Sequence, residues 1–146
     1  MKVILHLTPH CNLRCSYCYA AKAGAPEMSE KTARQAIDLA IANAEGSACV
    51  SYFGGEPLLH WDKIVRLTEY AAQAAARGGV EMHYRLSTNG TLFTEEILRF
   101  CKQHNILFAL SLDGNQAAHD ANRLTQEGDG SWAIIDQKLD MILRYN

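Results

Sequence analysis

Two periodicities alternate four times along this chain, and that alternation limits the fold more than any other feature. Short β-rich runs at Val3–Thr8, Ala48–Phe53, Val80–Thr88 and Ile106–Leu112 are bounded by glycine, proline or polar signals. A helical stripe follows each of them. Ala33, Ile37, Ala40, Ile41 and Ala44 line one face of residues 29–45, with Ser29 placed to cap it. Ile64, Leu67, Ala71, Ala74 and Ala75 do the same over residues 61–77, closed by Gly78-Gly79. Thr94 opens a third helix through Ile97, Leu98 and Cys101, and Ser131 is expected to cap a fourth carrying Trp132, Ile135, Leu139 and Ile142. Strand, helix, strand, helix predicts an α/β fold: a parallel sheet with right-handed crossovers and helices over at least one face.

At 146 residues, with no repeat or Pro/Gly/Ser linker, the chain reads as one domain. Its net charge of −2, with both signs interspersed, gives no basic footprint for nucleic acid. No apolar run nears the roughly 20 residues of a membrane span. His6 and Pro9 interrupt the N-terminus before a signal-peptide core could form, so a cytoplasmic protein is expected. Five cysteines in a reducing compartment point to thiolate chemistry or metal ligation over disulfides.

The distinctive residues all follow strands. Cys11, Cys15 and Cys18 come after the first, Gly54-Gly55-Glu56-Pro57 after the second, Ser87 to Gly90 at the end of the third, and Ser111 with Asp113 at the end of the fourth. Parallel α/β folds place their sites at strand C-termini. Three thiols in eight residues suit neither an even disulfide framework nor, alone, a closed four-ligand zinc site. A Cys₃His zinc site would need His10 or His6. A [4Fe–4S] cluster held by three cysteines would instead leave one iron open.

The C-x₃-C-x₂-C spacing directly after a first strand, with Tyr17 before the last cysteine, resembles the radical S-adenosylmethionine (radical SAM) enzymes. "YFGGEPLL" at the following strand resembles that family's GGE motif. "LSTNGTL" and "SLDG…HD..R…G.GSW..I" are similar to stretches of its anaerobic sulfatase-maturating and peptide-maturase members. The resemblance covers Val3 to about Leu143. It implies a partial (β/α) TIM-like barrel of about four βα units, a [4Fe–4S] cluster on Cys11, Cys15 and Cys18, and S-adenosylmethionine chelating the fourth iron. The implied activity is reductive cleavage of that cofactor to a 5′-deoxyadenosyl radical, which abstracts hydrogen from a peptide or protein substrate. Flavodoxin or ferredoxin is the implied electron donor.

For the cofactor pocket the resemblance implies Tyr17 beside the adenine and Gly54, Gly55 and Glu56 at the amino group. It implies Ser87 and Asn89 at the ribose, and Ser111 with Arg123 at the carboxylate. Plainer roles stand beside these: an aromatic under the loop, an Asn-Gly turn, a capped Asp-Gly turn, a solvated arginine. His119 and Asp120 are expected to fix their loop, while Cys49 and Cys101 read as small buried hydrophobes. His6 reads as barrel-lining, and His83 and Arg85 share phase with Ser87 on a polar strand face.

Radical SAM cores usually have six βα units, and maturases carry a cysteine-rich C-terminal extension. Residues 1–146 are thus expected to be the N-terminal portion of such a core domain, its barrel completed by a further C-terminal region or another chain. The rival expectations are a truncated cluster-binding or cofactor-binding module that acts through a partner, and a zinc-stabilised structural domain.

Overall fold

A computed structural model describes residues 1–20 and 25–145. Asn146 lies outside the described residues. Four strands form one all-parallel sheet in the order β1-β2-β3-β4: β1 Lys2–His6, β2 Ser47–Phe53, β3 Glu81–Thr88 and β4 Ile106–Leu110. Among the described residues five helices accompany them: α1 Glu30–Ala42, α2 Trp61–Gly78, α3 Glu95–Gln103, α4 Gln116–Asn122 and α5 Trp132–Tyr145, with a short 3₁₀ turn at Pro57–His60. No described helix is long and apolar enough to cross a membrane.

The helix boundaries follow local chemistry. Ser29 Oγ accepts from Thr32 N at 3.0 Å and the Thr94 hydroxyl accepts from Ile97 N at 3.3 Å, each meeting an orphan donor of a first turn. Gly79 ends α2 at φ 65°, the left-handed conformation glycine adopts freely. Ser131 departs from expectation. Its hydroxyl turns inward to Arg123 O (2.7 Å) and His119 Nε2 (3.0 Å), and the Asp120 carboxylate caps Trp132 N at 2.8 Å instead. The 115–130 connection also differs, for it contains α4. That helix is too short for a periodic stripe and is set by Asn115, whose side chain accepts from Ala118 N.

All the packed core lies on one face. Leu5, Val50, Tyr52 and Leu86 point from the strands against Ile37, Ile64, Leu67, Leu98 and Ile135 of the helices. Each such aliphatic side chain contributes about 1.5–3 kcal/mol by leaving water. Among the described residues the opposite face is uncovered, leaving Ile4 53% and Leu107 68% exposed. Cys101 is buried as expected, but Cys49 lies half-buried on the uncovered face, in register with Lys2 and His83.

Candidate functional site

The strand ends converge on a cavity of about 250 Å³. The loop after β1 brings Cys11, Cys15, Tyr17 and Cys18 to its wall. Gly54 and Gly55 arrive from β2, Ser87 and Asn89 from β3, Ser111 from β4, and Arg123 from beyond α4. Of the sequence-predicted residues, Glu56 does not reach the wall.

The two glycines are required by the cysteine loop itself. Gly55 N donates to Thr8 O and Glu56 N to His10 O, both at 2.8 Å, so backbone lies on backbone. A Cβ on Gly54, whose φ is 137°, would strike the Thr8 carbonyl, and one on Gly55 the His10 carbonyl. The GG pair therefore presses the β2 turn against the cysteine loop, in addition to lining the cavity.

Glu56 is fully buried and faces inward. One carboxylate oxygen accepts from Leu58 N (3.0 Å) and the Thr88 hydroxyl (2.8 Å), and the other accepts from Asn89 N (2.8 Å). Burial pushes its carboxyl pKa up, against the lowering effect of those three donors. Glu56 thus ties the β2 turn to the β3 turn.

Asn89 carries the tie to the thiols. Its amide donates to Asn12 Oδ1 (2.9 Å) and reaches Cys11 Sγ (3.7 Å). Asn12 donates to Thr91 Oγ1 (2.8 Å), which donates back to Asn89 Oδ1 (2.7 Å), closing a ring. Leu13 N also donates to Cys11 Sγ at 3.4 Å. Burial raises the Cys11 thiol, opposed by these donors, and burial raises Cys15, opposed by the Arg123 cation.

Residues 122–126 hold the other side of the loop. Arg14 N donates to Leu124 O and Ser16 N to Asn122 O, both at 2.8 Å. The Gln126 amide donates to Cys11 O (2.9 Å) and Leu13 O (3.1 Å). Sequence reasoning missed Asn12, Thr88, Thr91, Asn122 and Gln126. Of these, only Thr88 and Thr91 had a signal, as neighbours of the Asn-Gly turn.

At the rim, the Tyr17 hydroxyl donates to Asp113 Oδ2 at 2.6 Å, and Arg123 Nε lies 3.0 Å from Asp113 Oδ1 as an ion pair. That approach lacks hydrogen-bond alignment, so the buried Arg123 Nε has no hydrogen-bond partner. Desolvation, then the Asp113 bond, pushes the Tyr17 phenol up to about 12. Burial would raise Asp113, but the Tyr17 bond and the Arg123 cation outweigh it and hold the carboxyl low. His119 is buried, with its ring nitrogens at Asp113 N (3.4 Å) and Ser131 Oγ (3.0 Å). Burial first, then Arg123, lowers its pKa.

Among the described residues no His, Cys, Asp or Glu side chains converge as the shell of one metal ion. The three free thiols instead open onto a shared cavity. Three thiolates from one loop can hold a cubane and leave one iron open, whereas a closed tetrahedral zinc site needs a fourth ligand. Beside them, Arg123, paired through Nε with Asp113, brings a guanidinium to the same wall, where it suits an anionic group.

Residues 5–146 match the Radical SAM superfamily. The chain belongs to that superfamily. It is 32% identical over 139 residues to the serine-type anaerobic sulfatase-maturating enzyme of Klebsiella aerogenes, covering 92% of this chain and 34% of that relative. It is 35% identical over 112 residues to an uncharacterized protein of Methanocaldococcus jannaschii, covering 77% and 38% of the two chains. A solved structure of native anSMEcpe with bound AdoMet and Cp18Cys peptide superposes with a TM-score of 0.88 at 25% identity, covering 99% of this chain and 40% of the other. The radical SAM chain described here therefore spans between about a third and two fifths of the length of these relatives, and its sheet is the partial TIM-like part of that core.

Proposed function

We propose that this segment is the N-terminal portion of a radical SAM core domain, residues 1–146, in which Cys11, Cys15 and Cys18 hold a [4Fe–4S] cluster and S-adenosylmethionine occupies the adjoining cavity. The observation that carries the reading is the opening of three unpaired thiols from one loop onto the cavity that also receives Gly55, Ser87, Ser111 and Arg123. When bound, the pair supplies reductive cleavage of the cofactor and a radical for hydrogen abstraction. This chain's residues bind and orient. Ser87 and Asn89 form the wall assigned to the ribose, with the Asn89 side chain itself held by Asn12 and Thr91, and the guanidinium of Arg123, held at Nε by Asp113, is assigned to the cofactor carboxylate.

The amino group falls to the Gly54-Gly55 backbone. Glu56 acts behind it, because both its oxygens are occupied and buried. Tyr17, about half exposed, offers a ring face for the adenine. The substrate is a peptide or protein, a reading supported by the maturase relatives and by the peptide in the anSMEcpe complex. An electron donor of the flavodoxin or ferredoxin type completes the system, in the cytoplasm. The test is Cys15→Ala, followed anaerobically by 5′-deoxyadenosine formation under a chemical reductant. Loss of product with unchanged far-UV circular dichroism supports the reading, and undiminished product refutes it.

A further inference from the structure

The face of the sheet opposite the helices carries charge that the proposed cofactor site does not use. Strand alternation puts Lys2 and His6 of β1 there, and His83 and Arg85 of β3. Glu81, near the strand's start and 3.9 Å from His83, is the carboxylate that shares β3's side of this face. On a chain of net charge −2, this face is locally cationic. Arg85 is its centre. It is exposed, it sits in the row Ile4, Ser51, Arg85, Leu107, and both flanking partners are uncharged. Among the described residues it has no ion-pair partner. Glu81, four residues away on the same strand, lies about 13 Å along it.

Position adds to charge. Ser87 is two residues on from Arg85, on the same side of β3, and forms part of the cavity wall. Arg85 is therefore one strand repeat, ~7 Å, beneath the cavity. That is also the spacing of alternate side chains in an extended peptide. We propose that Arg85 anchors an Asp or Glu side chain of the peptide substrate through its guanidinium fork, setting which residue is presented to the cavity. The inference rests on the reading that a peptide meets the cofactor there. Its chemistry is specific: a planar fork pairs with a carboxylate bidentately, and a lysine ammonium would hold the charge without that geometry.

The experiment pans a random heptapeptide phage library against the folded wild-type chain, R85E and R77E. Arg77, exposed in the last turn of α2, controls for net charge. The wild-type and R77E pools should be enriched in Asp and Glu, whereas the R85E pool should be enriched in Lys and Arg. The best acidic peptide should bind R85Q about tenfold more weakly than wild type, R85K should fall between them, and the gap should shrink in high salt. A wild-type pool without acidic enrichment, or pools of the same composition from wild type and R85E, overturns the proposal. Panning needs neither cluster nor cofactor, so its failure is separable from a failure to form 5′-deoxyadenosine.

Discussion

Replacing Glu56 tests whether the strand-end loops are held as described. In Glu56→Ala three buried donors lose their acceptor: Leu58 N, Asn89 N and the Thr88 hydroxyl. A buried donor left unmet costs about 1–3 kcal/mol, although water entering the vacated space and rotation of the hydroxyl recover part of it. The expected loss is roughly 4 kcal/mol, a large share of the 5–15 kcal/mol that holds an ordinary domain. Glu56→Gln keeps the shape and one oxygen but turns an amide donor toward Asn89 N, so about 1–3 kcal/mol is expected.

Urea denaturation at constant m gives both values. The pH dependence has a definite sign. Burial raises the folded pKa of Glu56 above 4.5, so its contribution is full below the unfolded pKa and declines as pH rises through the folded one. The Gln penalty relative to wild type should therefore shrink from pH 4 toward neutrality. A Glu56→Ala variant within 1 kcal/mol of wild type, or a Gln penalty that grows with pH, would refute the clamp.

Three further outcomes follow from the same geometry. Gly55→Ala forces a Cβ into the His10 carbonyl, and shifting backbone there should cost about 1–3 kcal/mol in thermal or urea unfolding. Asp113→Asn removes the charged acceptor of the Tyr17 hydroxyl, so the phenol should titrate lower than in the wild-type chain. Alkaline difference absorbance against Tyr17→Phe reads that shift. Ile64→Ala, at a fully buried position of the α2 core, should lower stability by about 2–5 kcal/mol, seen as a lower urea midpoint.

The sheet was legible because its strands and helices repeat a simple pattern. Ser29, Thr94 and Gly79 mark helix ends through bonds made within one turn, which sequence records directly. Ser131 carried the same local signal, yet its hydroxyl bonds His119 and Arg123 across the chain and leaves the cap to Asp120. Periodicity could not reveal α4, seven residues long and stabilised by its Asn115 cap. The thiols and glycines were visible as motifs. The direction in which Glu56 points was not, because it depends on Thr88 and Asn89 lying across the sheet. The ring of Asn12, Asn89 and Thr91 ties Asn12 to residues 77 and 79 positions away, beyond the reach of any local pattern.

The most direct measurement is anaerobic reconstitution with iron and sulfide, followed by metal analysis and an electron paramagnetic resonance spectrum of the reduced protein, with and without S-adenosylmethionine. About four irons and four sulfides per chain, with a cubane signal that shifts on adding the cofactor, are predicted. A colourless protein holding one zinc per chain, or a cluster signal indifferent to the cofactor, would contradict the account.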